Sequence, residues 1–344
     1  MSQDPRTTML EQSIHARLDA LAKPQGSLGQ LERLAARLAF TQQTLAPRTT
    51  PRRLLVFSGD HGVVAEGVGI WPSEVTTAMI DLVASGRAAC SALARSTGTE
   101  LTLIDVGSLA PERRSHGSIT ERRITRGSGN LARGPALTIA QFEHALAVGK
   151  DAVRAAAGDG CRVVAVGELG IGNTTPATCL IAALTGAEPD PLVGPGAGAT
   201  EATLIKKREV VIHAAERARS TLPTDPVATM AAIAGHEIVA LAGAITGAAE
   251  LGVTVVLDGV VTAAAALIAQ RLAPSALDSA IAAHVGAEPA HRVALQHLGL
   301  EPMLDWRLRL GEGTGALLLL PLLDAAAALL TDVATLAEVT GAPA

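Results

Sequence analysis

At 344 residues the chain is too long for one small core, and one large α/β unit, alone or with a small second lobe, is the expected organisation. Apolar residues make up 48%, yet there are only 3 Phe, 2 Trp and no Tyr, so Ala, Leu, Val and Ile must fill the interior. The net charge of −5 and the shortage of stacking side chains argue against a nucleic-acid partner.

Cys90, Cys161 and Cys179 are too few and too scattered for a disulfide framework or a zinc ribbon, and reduced thiols in a cytoplasmic protein are the simplest expectation. The N-terminus lacks the apolar stretch of a signal peptide. Asp258 and Asp324 interrupt the most apolar tracts before they reach the ~18 residues of a membrane span, so no membrane partner is expected.

Leu10, Ile14, Leu18 and Leu21 recur at helical spacing, and Lys23-Pro24 predicts the end of that helix. Ser27-Leu28-Gly29-Gln30 has capping-box spacing and predicts a second helix with Leu28, Leu31, Leu34 and Leu38 on one face. Residues 47–53 read as a linker. Leu54-Leu55-Val56-Phe57 then closes on Ser58-Gly59-Asp60-His61-Gly62, the pattern of a buried strand running into a loop.

One long helix is predicted from about Val75 to Arg95, a strand over 101–106, and an Arg- and Gly-rich loop over 109–137. A helix from about Ile139 to Ala156 leads to a strand over 162–167. Helices follow at about 175–184, through Lys206, Val210 and Ala214, and at about 227–251; a strand over 254–258 and further helix complete the chain. Strands alternating with helices predict right-handed crossovers and a parallel sheet covered on both faces. The first helices are expected to join the last ones in a small helical lobe, residues 1–50 with 275–344, beside an α/β domain over 51–274.

In such sheets ligands bind beyond the carboxyl ends of the strands. The loops there are Gly59–Gly62, Gly167–Thr175 and Asp258-Gly259. In Gly170, Gly172, Asn173, Thr174 and Thr175, glycine backbone and a helix start suit a phosphate; a tight turn with an ordinary Thr cap fits equally well. Gly194–Gly198 offers a second backbone cradle. Lys206 and Lys207 follow it, and each is either a phosphate partner or a solvated helix charge. Asp60-His61 and His236-Glu237 are read mainly as structural hydrogen-bonding pairs, because no third ligand at helical spacing supports a metal. Glu312 lies among Gly311, Gly313 and Gly315 directly before an apolar helix. It is either a general base or a helix-entry acid. No Ser or Cys occupies a nucleophile elbow.

Taken together, Lys23–Gly29, Gly59–Val63, Pro72–Thr76, Gly167–Thr175, Asp258-Gly259 and Gly311–Gly315 resemble the nicotinate-nucleotide–dimethylbenzimidazole phosphoribosyltransferases over nearly the whole chain. The resemblance implies a Rossmann-like parallel sheet with a small helical lobe, and a homodimer; no metal or cofactor is expected. It implies transfer of 5-phosphoribosyl from nicotinate mononucleotide to 5,6-dimethylbenzimidazole. On that resemblance Glu312 is the proton acceptor, Glu168 is an acid facing the site, and Gly170–Thr175 with Lys207 holds the phosphate. The base pocket falls on Trp71, Pro72, Ser73, Thr77, Gly311 and Gly313.

The chain departs from the family in the base segment. Gly69, Trp71, Ser73 and Thr77 stand where Ser, Tyr and two amide-bearing or longer polar residues are usual. Pro195, Ala197 and Gly286 replace Arg, Thr and Ser. These changes leave the accepted base open between dimethylbenzimidazole, adenine and another benzimidazole. A non-catalytic nucleotide-binding protein is the alternative of a different kind, and the retained Glu312 argues against it.

Overall fold

The computed structural model describes residues 5–111 and 117–341. Residues 1–4, within the N-terminus considered above, and 112–116, within the Arg- and Gly-rich loop, lie outside them.

Six strands form one sheet: β1 (Arg52–Gly59), β2 (Glu100–Gly107), β3 (Ile119–Glu121), β4 (Val163–Leu169), β5 (Thr254–Leu257) and β6 (Ala280–Ala282). All neighbours are parallel, in the order β3-β2-β1-β4-β5-β6. This is the Rossmann strand order. The chain winds outward from β1 to one edge, then returns to β4 and winds to the other. The crevice is therefore expected where β1 and β4 end side by side.

The helices in chain order are α1 (Pro5–Ala20), α2 (Gln30–Thr41), α3 (Glu74–Ala84), α4 (Ala89–Ser96), α5 (Ile139–Gly158), α6 (Thr174–Thr185) and α7 (Glu201–Thr221). They continue with α8 (Pro226–Ile233), α9 (His236–Leu251), α10 (Val260–Leu272), α11 (Pro289–Leu298), α12 (Thr314–Thr331) and α13 (Leu336–Thr340). Strand alternation sorts them into two layers. Leu54 and Val56 face a core shared with α1–α4 and α12. Leu55 and Phe57 face a core built mostly from α5–α11.

α12 has the length and apolarity of a membrane span, with Asp324 inside it. Leu317, Leu319, Leu320 and Leu323 nevertheless pack into the core with α2 and α4. Arg17 of α1 donates to the carbonyls of Leu330 and Val333 at 3.0 and 2.9 Å, satisfying acceptors that the end of α12 leaves free.

Several local expectations are corrected. The segment 75–95 is two helices, broken where Gly86 takes φ +73°. The segment 227–251 breaks at Ala234-Gly235, where Gly235 packs on the His61 ring. β3 and β6 are three-residue edge strands without a periodic run to announce them, and β6 brings part of 275–344 into the sheet. The capping box at Ser27 does not form. Gly29 is the N-cap of α2, and the Glu32 side chain instead accepts the Leu28 N–H at 2.9 Å.

Candidate active site

Three loops converge above the carboxyl ends of β1, β4 and β5. The Gly311–Gly315 loop docks through its backbone. Glu312 N–H donates to the Glu168 carbonyl at 3.2 Å. Gly313 and Gly315 N–H donate to the two carboxylate oxygens of Asp258 at 3.0 and 2.7 Å. Asp258 follows β5, so the first turn of α12 is capped by an acid from another element. A Cβ on Gly167 of β4 would run into the Gly313 nitrogen, which explains glycine inside that strand. Gly311, Glu312 and Gly313 have φ of 88°, 59° and 76°, three left-handed residues in succession with the one side chain in the middle.

Glu312 is buried, 4% exposed, and lines a cavity between these loops. Its carboxyl lies against Cys90 in the first turn of α4, where the thiol and the backbone N–H both hydrogen-bond to it. Its Oε2 has no partner among the described residues. Burial raises the Glu312 pKa, and the Cys90 hydrogen bonds recover only part of the shift. Burial and then the Glu312 charge push the Cys90 thiol up to about 12.

Glu168 lines the same cavity beside Gly311. Burial, then the charges of Asp258 and Glu237, push its pKa well above the carboxylate range, against a hydrogen bond from the Asn173 amide. Burial thus works against its charged form.

Gly170 and Gly172 shape the loop after β4. A Cβ on Gly170 would run into the Gly59 carbonyl, and Gly172 has φ 89°. Asn173 is the N-cap residue of α6 without capping through its side chain, and Thr174 is the first helical residue. The Thr174 hydroxyl accepts from Lys207 Nζ at 2.9 Å, and Lys207 also donates to the Gly194 carbonyl at 2.8 Å. Lys207 is 1% exposed, and burial lowers its pKa. Thr175 is buried and not on the cavity wall, with no partner for its hydroxyl among the described residues. The Gly194–Gly198 cradle is partly occupied, because Gly196 N–H already donates to Glu288 at 2.8 Å.

The base segment divides. Trp71 lines the cavity, half exposed, with its indole N–H 3.4 Å from the Ala197 carbonyl. Pro72, Ser73 and Thr77 are not on the cavity wall, whereas Val75 and Met79 of α3 are. Gly313 supports the wall from behind. The structure thus brings Trp71, Glu168, Gly170, Asn173, Thr174, Gly311 and Glu312 to one cavity, with Lys207 directly behind Thr174.

Sequence reasoning did not assign Asp258 its capping task, nor His284, whose ring nitrogen stands 3.3 Å from Asp258, nor Glu288. The position of Asp258 directly after a strand was the available signal. The pairs Asp60-His61 and His236-Glu237 meet in the interior, with His61 Nε2 2.9 Å from Glu237. Burial opposes the charge on His61, and Glu237 and Asp60 more than offset it, so its pKa rises.

Comparison with known proteins gives a consistent result. A phosphoribosyltransferase family profile matches residues 4–340. The nicotinate-nucleotide–dimethylbenzimidazole phosphoribosyltransferase of Nitratidesulfovibrio vulgaris strain DP4 is 41% identical over 337 residues, 97% of this chain and 94% of that one. The enzyme of the same name from Mycobacterium marinum is 43% identical over 331 residues, covering 96% and 92%. The crystal structure of CobT from Thermus thermophilus superposes with a TM-score of 0.91 at 41% identity, covering 97% of this chain and 99% of that one. With matches this even along the whole length, and with the same fold, the chain belongs to the nicotinate-nucleotide–dimethylbenzimidazole phosphoribosyltransferase family.

Proposed function

We propose that this chain transfers the 5-phosphoribosyl group of nicotinate mononucleotide to 5,6-dimethylbenzimidazole, releasing nicotinate and α-ribazole 5′-phosphate for the nucleotide loop of cobalamin. The observation that carries this is the juxtaposition in one cavity of an unpartnered Glu312 oxygen and the N-terminus of α6 backed by Lys207. At the start of α6 the Thr175 N–H is spent on the Gly172 carbonyl and Pro176 has none, so it is the Thr174 N–H, with the third N–H of Lys207, that suits the 5′-phosphate.

The chemistry needs little beyond placement. The unprotonated benzimidazole nitrogen attacks C1′ from the face opposite the pyridine ring, which inverts β to α. The C1′–N bond breaks with its electron pair returning to the pyridine nitrogen, so nicotinate leaves without protonation. The attacking ring becomes cationic, and its other nitrogen gives up a proton to Glu312. Burial raises the Glu168 pKa and so disfavours a second negative charge beside that base. Anchoring the phosphate and the base on opposite sides of the ribose supplies the alignment, a large part of the rate.

The test mixes the protein with nicotinate mononucleotide and dimethylbenzimidazole and separates the products. α-Ribazole 5′-phosphate supports the proposal; binding without nicotinate release from any base would favour a non-catalytic binder. Because Trp71 is half exposed and weakly held, the accepted base is a separate question, answered by competition among dimethylbenzimidazole, benzimidazole and adenine. The same proposal carries a homodimer, tested by whether sedimentation gives the mass of two chains.

A further inference from the structure

We infer that Thr76 is a positioning residue for this transfer, its single hydroxyl clamping the helix that carries the base side of the cavity to the loop that carries the phosphate side. The inference rests on the reaction proposed above. Thr76 lies in the first turn of α3 with no exposure, and it is not on the cavity wall. Its Oγ1 is 3.1 Å from the Ile171 nitrogen and 2.7 Å from Asp60 Oδ1.

The direction of both bonds follows from chemistry. A backbone N–H can only donate, so Ile171 gives its proton to the hydroxyl, and the hydroxyl proton goes to Asp60. Asp60 Oδ2 in turn accepts the Leu109 N–H at 2.8 Å. Both carboxylate oxygens of Asp60 are therefore acceptors.

Every end of this relay bears on the cavity or the sheet. Ile171 is on the cavity wall within the loop after β4, and Val75 and Met79, beside Thr76 and one turn further along α3, line the same cavity with Trp71. Asp60 continues β1 and fixes the relay to the sheet, since its N–H donates to the Gly107 carbonyl at 3.0 Å. One hydroxyl thus ties α3, the loop after β4 and the end of β1 together at the cavity. The reaction aligns an acceptor ring and a phosphate-anchored ribose along one line, and a shift of about 1 Å in such an arrangement costs on the order of 100-fold in rate. Thr76 reaches no reacting atom, so its effect falls on alignment and not on substrate affinity.

The experiment compares wild type, Thr76→Val and Thr76→Ser, with thermal melts to establish folding, measuring kcat and both KM values. Valine keeps the shape and removes both bonds; serine keeps the hydroxyl. The expected result is a kcat at least tenfold lower for T76V, with KM for nicotinate mononucleotide within threefold of wild type. T76S should retain kcat within threefold. A folded T76V with near wild-type kcat overturns the inference. So does T76S losing tenfold in kcat despite its hydroxyl, a result that stands even if T76V fails to fold. So does a loss confined to KM. A wild-type chain that makes no product with any base would instead overturn the proposed reaction, a result distinguishable from all of these.

Discussion

Gly167 and Gly313 meet backbone to backbone, with no room for a side chain between the end of β4 and the turn that carries Glu312. Glu312 is therefore placed by contact between main chains of the sheet and the turn. Gly167→Ala forces a methyl group against the Gly313 nitrogen. We expect a stability loss of about 1–3 kcal/mol from overpacking and a kcat lower by roughly 100-fold from the displaced turn. Thermal unfolding and steady-state kinetics check both. Unchanged kcat would mean that the turn does not need this contact.

Glu312→Gln keeps size and removes the proposed proton acceptor, so kcat should fall by about 10²–10⁴-fold. In the wild type a protonated Glu312 cannot accept a proton, so the rate falls as pH is lowered through its pKa. Burial raises that pKa, which puts the acidic limb above the ordinary carboxylate range. The measurement is kcat against pH at saturating acceptor base. A limb below that range would contradict the environment described here.

Lys207→Met should raise KM for nicotinate mononucleotide by roughly 10- to 100-fold, the scale of a lost hydrogen bond to a charged group, with KM for the base within threefold. Burial lowers the Lys207 pKa, so its charge is lost at lower pH than on an exposed lysine. Nucleotide affinity should weaken correspondingly early on the alkaline side. Equal effects on both KM values would argue that Lys207 serves only the fold.

Glu168 should mark the stability profile. Its folded pKa is raised, so its contribution is fully present below the unfolded carboxylate value of about 4.3 and is lost as pH rises through the raised one. Glu168→Gln cannot ionise and escapes that loss. Melting temperatures at pH 5 and pH 8 should therefore show the variant gaining on wild type as pH increases. A constant difference would place Glu168 in an environment that tolerates its charge.

Much of this was legible in the chain. The apolar run Leu54–Phe57 and the stretches at 162–167 and 254–258 announced strands, because a strand buried on both faces cannot alternate. The glycines of 167–175 and 311–315 announced close approach, and the structure puts Gly170 against Gly59 and Gly313 against Gly167. Contacts between distant elements were not legible. Nothing local to Asp258 says that its carboxylate caps a helix beginning at Thr314, nor does Thr76 announce Ile171. The helix breaks at Gly86 and Gly235 were hidden for a different reason. One glycine in an Ala- and Val-rich run costs only about 1 kcal/mol in a helix, so tertiary packing decides whether the helix stops.

The Cys90 thiol at the α4–α12 junction gives the loop a built-in reporter. Sealed in the interior and with its pKa pushed up to about 12, it should react with alkylating agents only when α4 and the Glu312 turn part. Its alkylation rate then measures how often the site loosens, without any substrate turning over. Ligands that clamp the turn should slow that rate, and substitutions that loosen the Gly167 contact should speed it.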